Sequence, residues 1–178
     1  VETPAHGEML LLLGCELAQG YGIARPMPEG ELSGWAADWR HDPQWSLLRP
    51  LGKDDLPLLF AGTEHRAWIA GIDKYLVDDA GFPARLGADE CRFGNWLANE
   101  GQASYAERPL FPEIRRLHGE VHVLAKVLCE RKQMGNTGQL EDGRAELRAL
   151  SDALLTGIRA LVLECASEEA RRGVGVAS

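Results

Sequence analysis

The sequence predicts an all-α fold, an antiparallel four-helix bundle preceded by a short βα segment. Two observations lead to this prediction. Apolar residues recur at intervals of three and four along three long segments, which is the spacing of one buried helical face. Turns containing glycine or proline separate these segments, so neighbouring helices are expected to fold back on one another.

Composition narrows the possible functions. The 178 residues are 45% hydrophobic and 26% charged, which suits one or two globular domains. The net charge of -8 disfavours nucleic acids and anionic lipid surfaces as partners. No run approaches the roughly 20 apolar residues of a membrane span. Four dispersed cysteines without a CxxC pair favour a reducing, cytoplasmic setting.

Residues 1–28 have the character of one α/β unit. An apolar stretch predicts a helix over residues 8–17, and residues 21–24 predict a short strand that ends before Pro26. A lone strand has no ladder partner, so this segment is not expected to be a domain by itself. Because the chain opens without an initiator methionine, we expect it to be part of a longer protein.

Residues 29–53 form a predicted linker with a short helix over residues 31–39. Trp35, Trp39 and Trp45 lie in it among prolines and glycines. We expect these tryptophans to pack the linker against its neighbours, since large aromatic rings bury much apolar area.

Residues 54–172 carry the predicted bundle, and residues 173–178 are expected to be a disordered tail. The predicted helices are one before a break at 81–83, then 88–99 with Gly101 as its C-terminal cap, about 109–132, and about 139–170. The first helix has a buried stripe of His65, Ile69, Ile72 and Leu76, so His65 is expected to face the core.

Three histidines and one cysteine are candidate metal ligands. His118 and His122 lie four residues apart on one face of the third helix, close enough to bind one ion. With His65 and Cys91, which lie on neighbouring helices, they complete a tetrahedral donor set for Zn²⁺. The alternative is a set of core histidines bonded to backbone beside an inert thiol.

The other candidates have simpler interpretations. Cys15, Cys129 and Cys165 are expected to fill core positions, and His6 and His41 are expected to be exposed. Two further tryptophans, Trp68 and Trp96, are expected to pack beside the metal or in the core, because an indole has no metal-binding lone pair. Glu120 should point away from His118 and His122, at about 100° of helix rotation per residue, which makes it a poor general base.

Three motifs resemble those of the chemoreceptor zinc-binding (CZB) domain family. They are His65-Arg66-Ala67-Trp68 for HxxW, residues 91–97 for CxxGxWL, and residues 118–122 for HxxxH. The resemblance implies a four-helix bundle with one Zn²⁺ held by three histidines and one cysteine, often in a homodimer attached to bacterial chemoreceptors or cyclic-di-GMP enzymes. Carried over by position, the metal ligands are His65, Cys91, His118 and His122.

The first 28 residues resemble the closing βα unit of an EAL domain, a TIM-like barrel that hydrolyses cyclic di-GMP. The matching stretches are Val1-Glu2-Thr3, residues 13–21 for LGCDxxQGY, and residues 25–28. Gln19 matches the family's active-site glutamine, but the family's other catalytic motifs would all precede residue 1. We therefore expect no catalytic residues and no enzyme activity in this chain.

Together these patterns predict a zinc-binding regulatory domain of a bacterial cyclic-di-GMP signalling protein. Zinc occupancy or oxidation of Cys91 would control an attached EAL domain, with or without a GGDEF cyclase domain. A homodimer is expected, with no nucleic acid and no membrane contact by this segment. The alternative is a dimerisation module in which the zinc is purely structural.

Overall fold

The computed structural model of the chain describes residues 1–78, 81, 85–138 and 140–174, the last seven of them by their backbone alone. All regular structure in these ranges is helical, which confirms the all-α prediction. The α-helices are α1 Pro4–Leu12, α2 Glu29–Asp38, α3 Leu56–Asp78, α4 Arg92–Ala98, α5 Glu100–Tyr105, α6 Phe111–Gln133 and α7 Leu140–Val174. Two short 3-10 helices lie at Pro43–Leu47 and Lys53–Asp55.

The chain forms two compact units. One comprises Val1–Asp55 together with the segment that begins at Leu163, and the other comprises Leu56–Val162. All four candidate ligands belong to the second unit. No helix within the described part of the chain is long and apolar enough to cross a bilayer.

The prediction of a strand over residues 21–24 is wrong. Residues 21–23 are part of a turn, in which the N–H of Ile23 donates to the carbonyl of Gly20 at 2.9 Å. The described residues contain no strand. A single extended segment has no neighbour to complete its hydrogen bonds, so a turn satisfies this backbone instead.

The first helix begins and ends earlier than the predicted range of 8–17. The Thr3 side chain accepts a hydrogen bond from the N–H of His6, and Pro4 occupies the first turn, where it interrupts no helical bond. The helix ends at Leu12, and Gly14 follows with a φ of +85°, a left-handed conformation that suits glycine.

One tryptophan of the 29–53 segment packs as expected. The Nε1 of Trp45 donates to the carbonyl of Pro4 at 3.2 Å. Its ring lies so close to Gly7 that a Cβ on this glycine would be 2.1 Å from it. Trp45 therefore attaches the 3-10 helix Pro43–Leu47 to α1, while the predicted helix over residues 31–39 is present as α2.

In the second unit, α3 presents the predicted buried stripe. His65, Ile72 and Leu76 are buried and Ile69 is half-buried. Leu58, Ala61 and Tyr75 widen the buried face. Of the predicted break at 81–83, Phe82 and Pro83 lie outside the described residues.

The predicted helix over 88–99 is a turn followed by the short helix α4, and a second short helix, α5, begins just after this range. The two helices share an aromatic core. The ring centroid of Trp96 is 5.7 Å from that of Phe93 and 5.3 Å from that of Tyr105. Gly101 lies inside α5 and is not the predicted cap. A Cβ on Gly101 would be 2.8 Å from the Trp96 ring, so glycine permits the close approach of α5.

The long helices α3 and α6 run in the same direction, and α7 runs opposite to both. The Nζ of Lys132, near the end of α6, donates to the carbonyls of Tyr75 and Leu76, near the end of α3. Arg144, near the start of α7, donates to Asp73 at 2.9 Å. In an antiparallel four-helix bundle the first and third helices are parallel, so these directions are those of the predicted fold, and α4 and α5 return the chain to the starting end of α3.

The last helix covers the predicted range and extends beyond it. Gln139, its predicted first residue, lies outside the described residues, and α7 begins at Leu140. Gly173 and Val174, expected in the tail, are helical backbone, and residues 175–178 lie outside the described part.

Candidate metal centre

Four side chains from three parts of the second unit converge on one point. His65 comes from α3, Cys91 precedes α4, and His118 and His122 come from α6. One donor atom from each residue can be chosen so that all four lie within 4.8 Å of one another. The three histidines are each only 3% exposed, and Cys91 is half-buried.

His65 is held by its own helix. Its Nδ1–H donates to the carbonyl of Ala61, one turn earlier, at 3.0 Å. This bond leaves Nε2 as the nitrogen with a free lone pair. Nε2 lies 3.7 Å from the Sγ of Cys91, so the imidazole and the thiol already face each other.

His122 is held by the loop before α4. Its Nδ1–H donates to the carbonyl of Leu86 at 3.0 Å. Its Nε2 is buried and has no hydrogen-bond partner among the residues that the structure describes. A buried polar atom without a partner is costly, and a metal ion would satisfy this nitrogen.

His118 lies beside both other imidazoles. Its ring centroid is 4.5 Å from that of His122 and 5.1 Å from that of His65. Its Nε2 is also buried without a partner in the described part of the chain. Two such nitrogens in one cluster argue against the alternative of core histidines satisfied by the backbone.

Gly94 makes room for the His118 ring. A Cβ at this position would be 2.9 Å from the Cε1 of His118 and 1.9 Å from the carbonyl oxygen of Ala88. The close approach of α4 to both groups therefore requires glycine.

Burial keeps the imidazoles neutral at physiological pH. It lowers the pKa of His65 to about 4 and that of His118 to about 3, and it also lowers the pKa of His122. The neutral ring is the form that binds a metal ion, so these rings need not lose a proton first.

The donor set suits zinc. Three imidazole nitrogens and one sulfur make a complete tetrahedral set, with bonds of about 2.0–2.3 Å and hence donor atoms roughly 3.3–3.8 Å apart. The separations of up to 4.8 Å lie within about 1.5 Å of this geometry. No carboxylate belongs to the cluster among the described residues, which disfavours calcium and magnesium.

A pocket opens beside the cluster. Its volume is about 370 Å³, and its lining includes His65, Trp68, Cys91 and His122. Charged side chains complete the lining, among them Arg92 and Glu64, which form a salt bridge of 3.3 Å. The half-buried Cys91 is thus the ligand candidate that small solutes can reach most readily.

The remaining predicted residues lie apart from this cluster. His6 and His41 are exposed, as predicted. Cys129 and Cys165 are buried, and burial raises the pKa of Cys129 to about 11, as suits an inert thiol. The prediction that Cys15 fills a core position is wrong, because this residue is exposed beyond the end of α1.

Glu120 is no candidate for a general base, in agreement with the expectation from its helix position. Its carboxylate accepts a hydrogen bond from Arg116 at 2.5 Å, within α6.

Sequence reasoning missed the groups that hold the ligands. The Ala61 carbonyl could have been found, since it lies four residues before His65 on a helix. The Leu86 carbonyl could not, because it belongs to an irregular loop whose path the pattern does not define. The role of Gly94 had one signal, a glycine inside a short helix, where glycine is otherwise unfavourable.

Comparison with known families agrees with this geometry. Residues 65–128 match the family of chemoreceptor zinc-binding domains, a zinc-binding rather than catalytic family. Neither a curated protein nor a solved structure matches the chain. The match and the cluster together confirm zinc as the predicted cofactor, whereas the resemblance of residues 1–28 to an EAL domain stays a prediction.

Proposed function

Since residues 65–128 match the chemoreceptor zinc-binding domain, we propose that this chain is a regulatory module whose ligands are His65, Cys91, His118 and His122. The observation that carries the proposal is the pair of buried, partnerless Nε2 atoms on His118 and His122 beside a third imidazole and a thiol. These are the donors of one closed, four-coordinate zinc site.

A closed site suits control better than catalysis. Catalytic zinc keeps one position open for water and has a general base close by. Here four protein donors fill the tetrahedron, and Glu120 is engaged with Arg116. The zinc would therefore act on the arrangement of α3, α4 and α6, whose side chains or flanking residues supply the donors.

The regulatory role rests on the position of the ligands along the chain. His65 and Cys91 are 26 residues apart, and His118 follows 27 residues later, so a bound ion joins segments that are distant in sequence. Apparent zinc affinities of about 10–16 kcal/mol in small peptides show that such a link can decide how helices pack. Loss of the ion leaves two buried nitrogens unsatisfied, which favours a different packing.

Two signals can act on the site. Protons compete with zinc for the thiolate, and at low pH for the imidazoles as well, so occupancy should fall as the pH falls. An oxidant that reaches Cys91 through the adjoining pocket would remove the thiolate ligand.

The attached output domain is the further part of the proposal. We propose, from the EAL-like motifs of residues 1–28, that the module follows a cyclic-di-GMP phosphodiesterase domain, with or without a GGDEF cyclase, and we propose that the longer protein is a cytoplasmic homodimer. The zinc module would then set the turnover of cyclic di-GMP by the longer protein.

The ligand assignment is tested by metal content. Elemental analysis of the purified chain after zinc loading and desalting should give one zinc per chain. C91S and H122A should weaken zinc binding roughly 100-fold or more, since even loss of a residue that only supports a ligand costs 10–100-fold. Chelator competition measures the affinity.

C15S and H41A are the matched controls, because they remove an exposed thiol and an exposed imidazole outside the cluster. Both should keep wild-type zinc content. Stoichiometric zinc in C91S and H122A, or its loss in C15S, would contradict the assignment.

Regulation is tested in the longer protein. Cyclic-di-GMP turnover should differ at least about twofold between zinc-loaded and chelated wild type, whereas the H122A protein should not respond to the chelator. Light scattering of the same samples follows association. Equal turnover in both states, with an unchanged dimer, would contradict control and leave the zinc a structural element of a dimerisation module.

A further inference from the structure

Trp68 contacts two of the ligand imidazoles. Its ring centroid is 4.4 Å from that of His122, with the planes inclined by only 32°, so the indole lies over the imidazole face. It also meets His65 edge-on at 6.4 Å. Trp68 is one turn after His65 on α3, while His122 is on α6, so this ring connects the two helices at the cluster.

The three imidazoles differ in their aromatic neighbours. Phe93 meets both His65 and His118 edge-on, with centroids 5.5 Å away in each case. The described contacts of His122 include no such contact with Phe93. Among the described residues, its aromatic neighbour outside the cluster is Trp68, so in this part of the chain it is the indole that packs against the His122 ring.

The backbone bond alone does not fix the His122 ring. The bond from Nδ1 to the Leu86 carbonyl holds one edge of the imidazole but leaves rotation about that direction open. A flat ring packed against its face removes this freedom. Residues that lock the rotamer of a metal ligand in this way raise affinity, because less ordering remains to be done on binding.

The polar end of the indole does not explain its position. The Nε1 of Trp68 is buried and has no hydrogen-bond partner within the described part of the chain. Within those residues, the N–H contributes no hydrogen bond that would hold the ring there. The ring face is what this residue supplies.

From these contacts, and resting on the proposed zinc function, we infer that Trp68 is a positioning residue that orients His122 for metal binding. Trp96, the second tryptophan of the motifs, has a different role. It packs against Phe93, Tyr105 and Phe111, and none of its described ring contacts is with a ligand histidine.

The test substitutes each tryptophan in turn. Zinc and cobalt are the metal probes for every variant. W68L should weaken zinc binding about 10-fold or more and shift the visible absorption bands of the Co²⁺-loaded protein, which report ligand geometry. W68F retains an aromatic face and should restore the wild-type spectrum and most of the affinity. If circular dichroism shows W68L to be unfolded, W68M replaces it under the same criteria.

W96L is the matched control, because it removes an indole from the same core without touching the ligand rings. It should lower the melting temperature of the metal-free protein and leave the cobalt spectrum unchanged. A wild-type spectrum and affinity in W68L, or the same spectral shift in W96L, would overturn the role of Trp68 alone. A wild-type chain that takes up neither metal would overturn the zinc function as well.

Discussion

At the scale of single residues, the site combines neutral imidazoles with backbone acceptors. The Nδ1–H groups of His65 and His122 donate to carbonyls, so both rings present Nε2 to the cluster. Burial lowers the pKa of both residues, and the rings are therefore neutral when a metal arrives. The cluster is prepared for an ion by ordinary hydrogen bonding and desolvation.

Gly94 yields a sharp prediction at this scale. G94A places a methyl group 1.9 Å from the Ala88 carbonyl and 2.9 Å from the His118 ring, so the loop or the imidazole must move. We expect zinc affinity to fall about 10-fold or more and the free energy of unfolding to fall by about 1–3 kcal/mol. Chelator competition and denaturant titration measure the two effects.

G119A is the control for this change. Gly119 is adjacent to His118 in sequence, lies inside α6, and has open space where its Cβ would be. Alanine there should leave zinc affinity unchanged and raise helix stability by up to about 1 kcal/mol. Wild-type zinc affinity in G94A, or an equal loss in G119A, would show that the space around Gly94 does not matter.

The cluster itself was predictable from the sequence, whereas its support was not. Motif spacing on helices indicated that His65, Cys91, His118 and His122 could converge, and they do. The approach of Gly94 to His118 depends on how α4 packs, which the spacing of apolar residues does not encode. The exposed position of Cys15 was missed because α1 ends earlier than its apolar run suggests.

At the scale of helices, the second unit is held by polar contacts between long helices as well as by its core. Asp73 on α3 accepts hydrogen bonds from Arg144 and Arg148 on α7, each at 2.9 Å at its shortest. The hydrogen bond from Arg144 is the main reason that the pKa of Asp73 lies below its ordinary value. This carboxylate is a charged link between two helices.

The substitution D73N tests that link. In the metal-free protein at pH 7 it should lower the free energy of unfolding by about 1 kcal/mol, since a partly exposed charged pair is screened by water. The pKa of Asp73 is lower in the folded protein than in the unfolded chain. Its carboxylate therefore stabilises the fold fully at pH values above its unfolded-state pKa of about 4. This stabilisation is lost as the pH falls further and passes the pKa of Asp73 in the folded protein.

The difference between wild type and D73N should therefore be constant from pH 7 to 5 and shrink only below about pH 4. Urea titrations at each pH measure it. E113Q is the control, because Glu113 pairs with Arg116 inside α6 and has no ion pair with a second helix among the described residues. An equal change in both variants would assign the effect to net charge and not to the contact between α3 and α7.

Helices were predicted more reliably than the strand because their pattern is longer. The stripes of α3 and α6 span many turns, and each is found as a buried face. The four residues 21–24 gave too short a pattern to distinguish an extended strand from a turn. Residues 88–99 divide into a turn and α4, and α5 begins just after them. This division depends on the packing of Trp96 against Tyr105, a contact that the local sequence does not reveal.

At the scale of the whole molecule, the directions of the long helices are those predicted for an antiparallel four-helix bundle. Short connections favour alternating directions, and the path from α3 to α6 includes two small helices that return the chain. That path is long enough to bring α6 back parallel to α3, with Lys132 beside the end of α3. As a result, one connection supplies Cys91 and the Leu86 carbonyl, and the two helices that it joins supply the histidines.

The division into two compact units likewise depends on contacts between distant segments. All four candidate ligands lie within Leu56–Val162, and the segment from Leu163 is grouped with residues 1–55. The linear pattern suggested boundaries near residues 28 and 53, because composition changes there. The sequence pattern did not indicate that the last turns of α7, from Leu163, would be grouped with residues 1–55.

Ala61 and Leu86 contribute to the cluster through main-chain oxygens. Every amino acid carries that oxygen, so no amino-acid substitution at either position removes the acceptor. Natural selection for metal binding therefore leaves the side chains at positions 61 and 86 to drift within the limits of packing. Across distant homologues we expect both positions to vary while the tautomers of the two histidines persist.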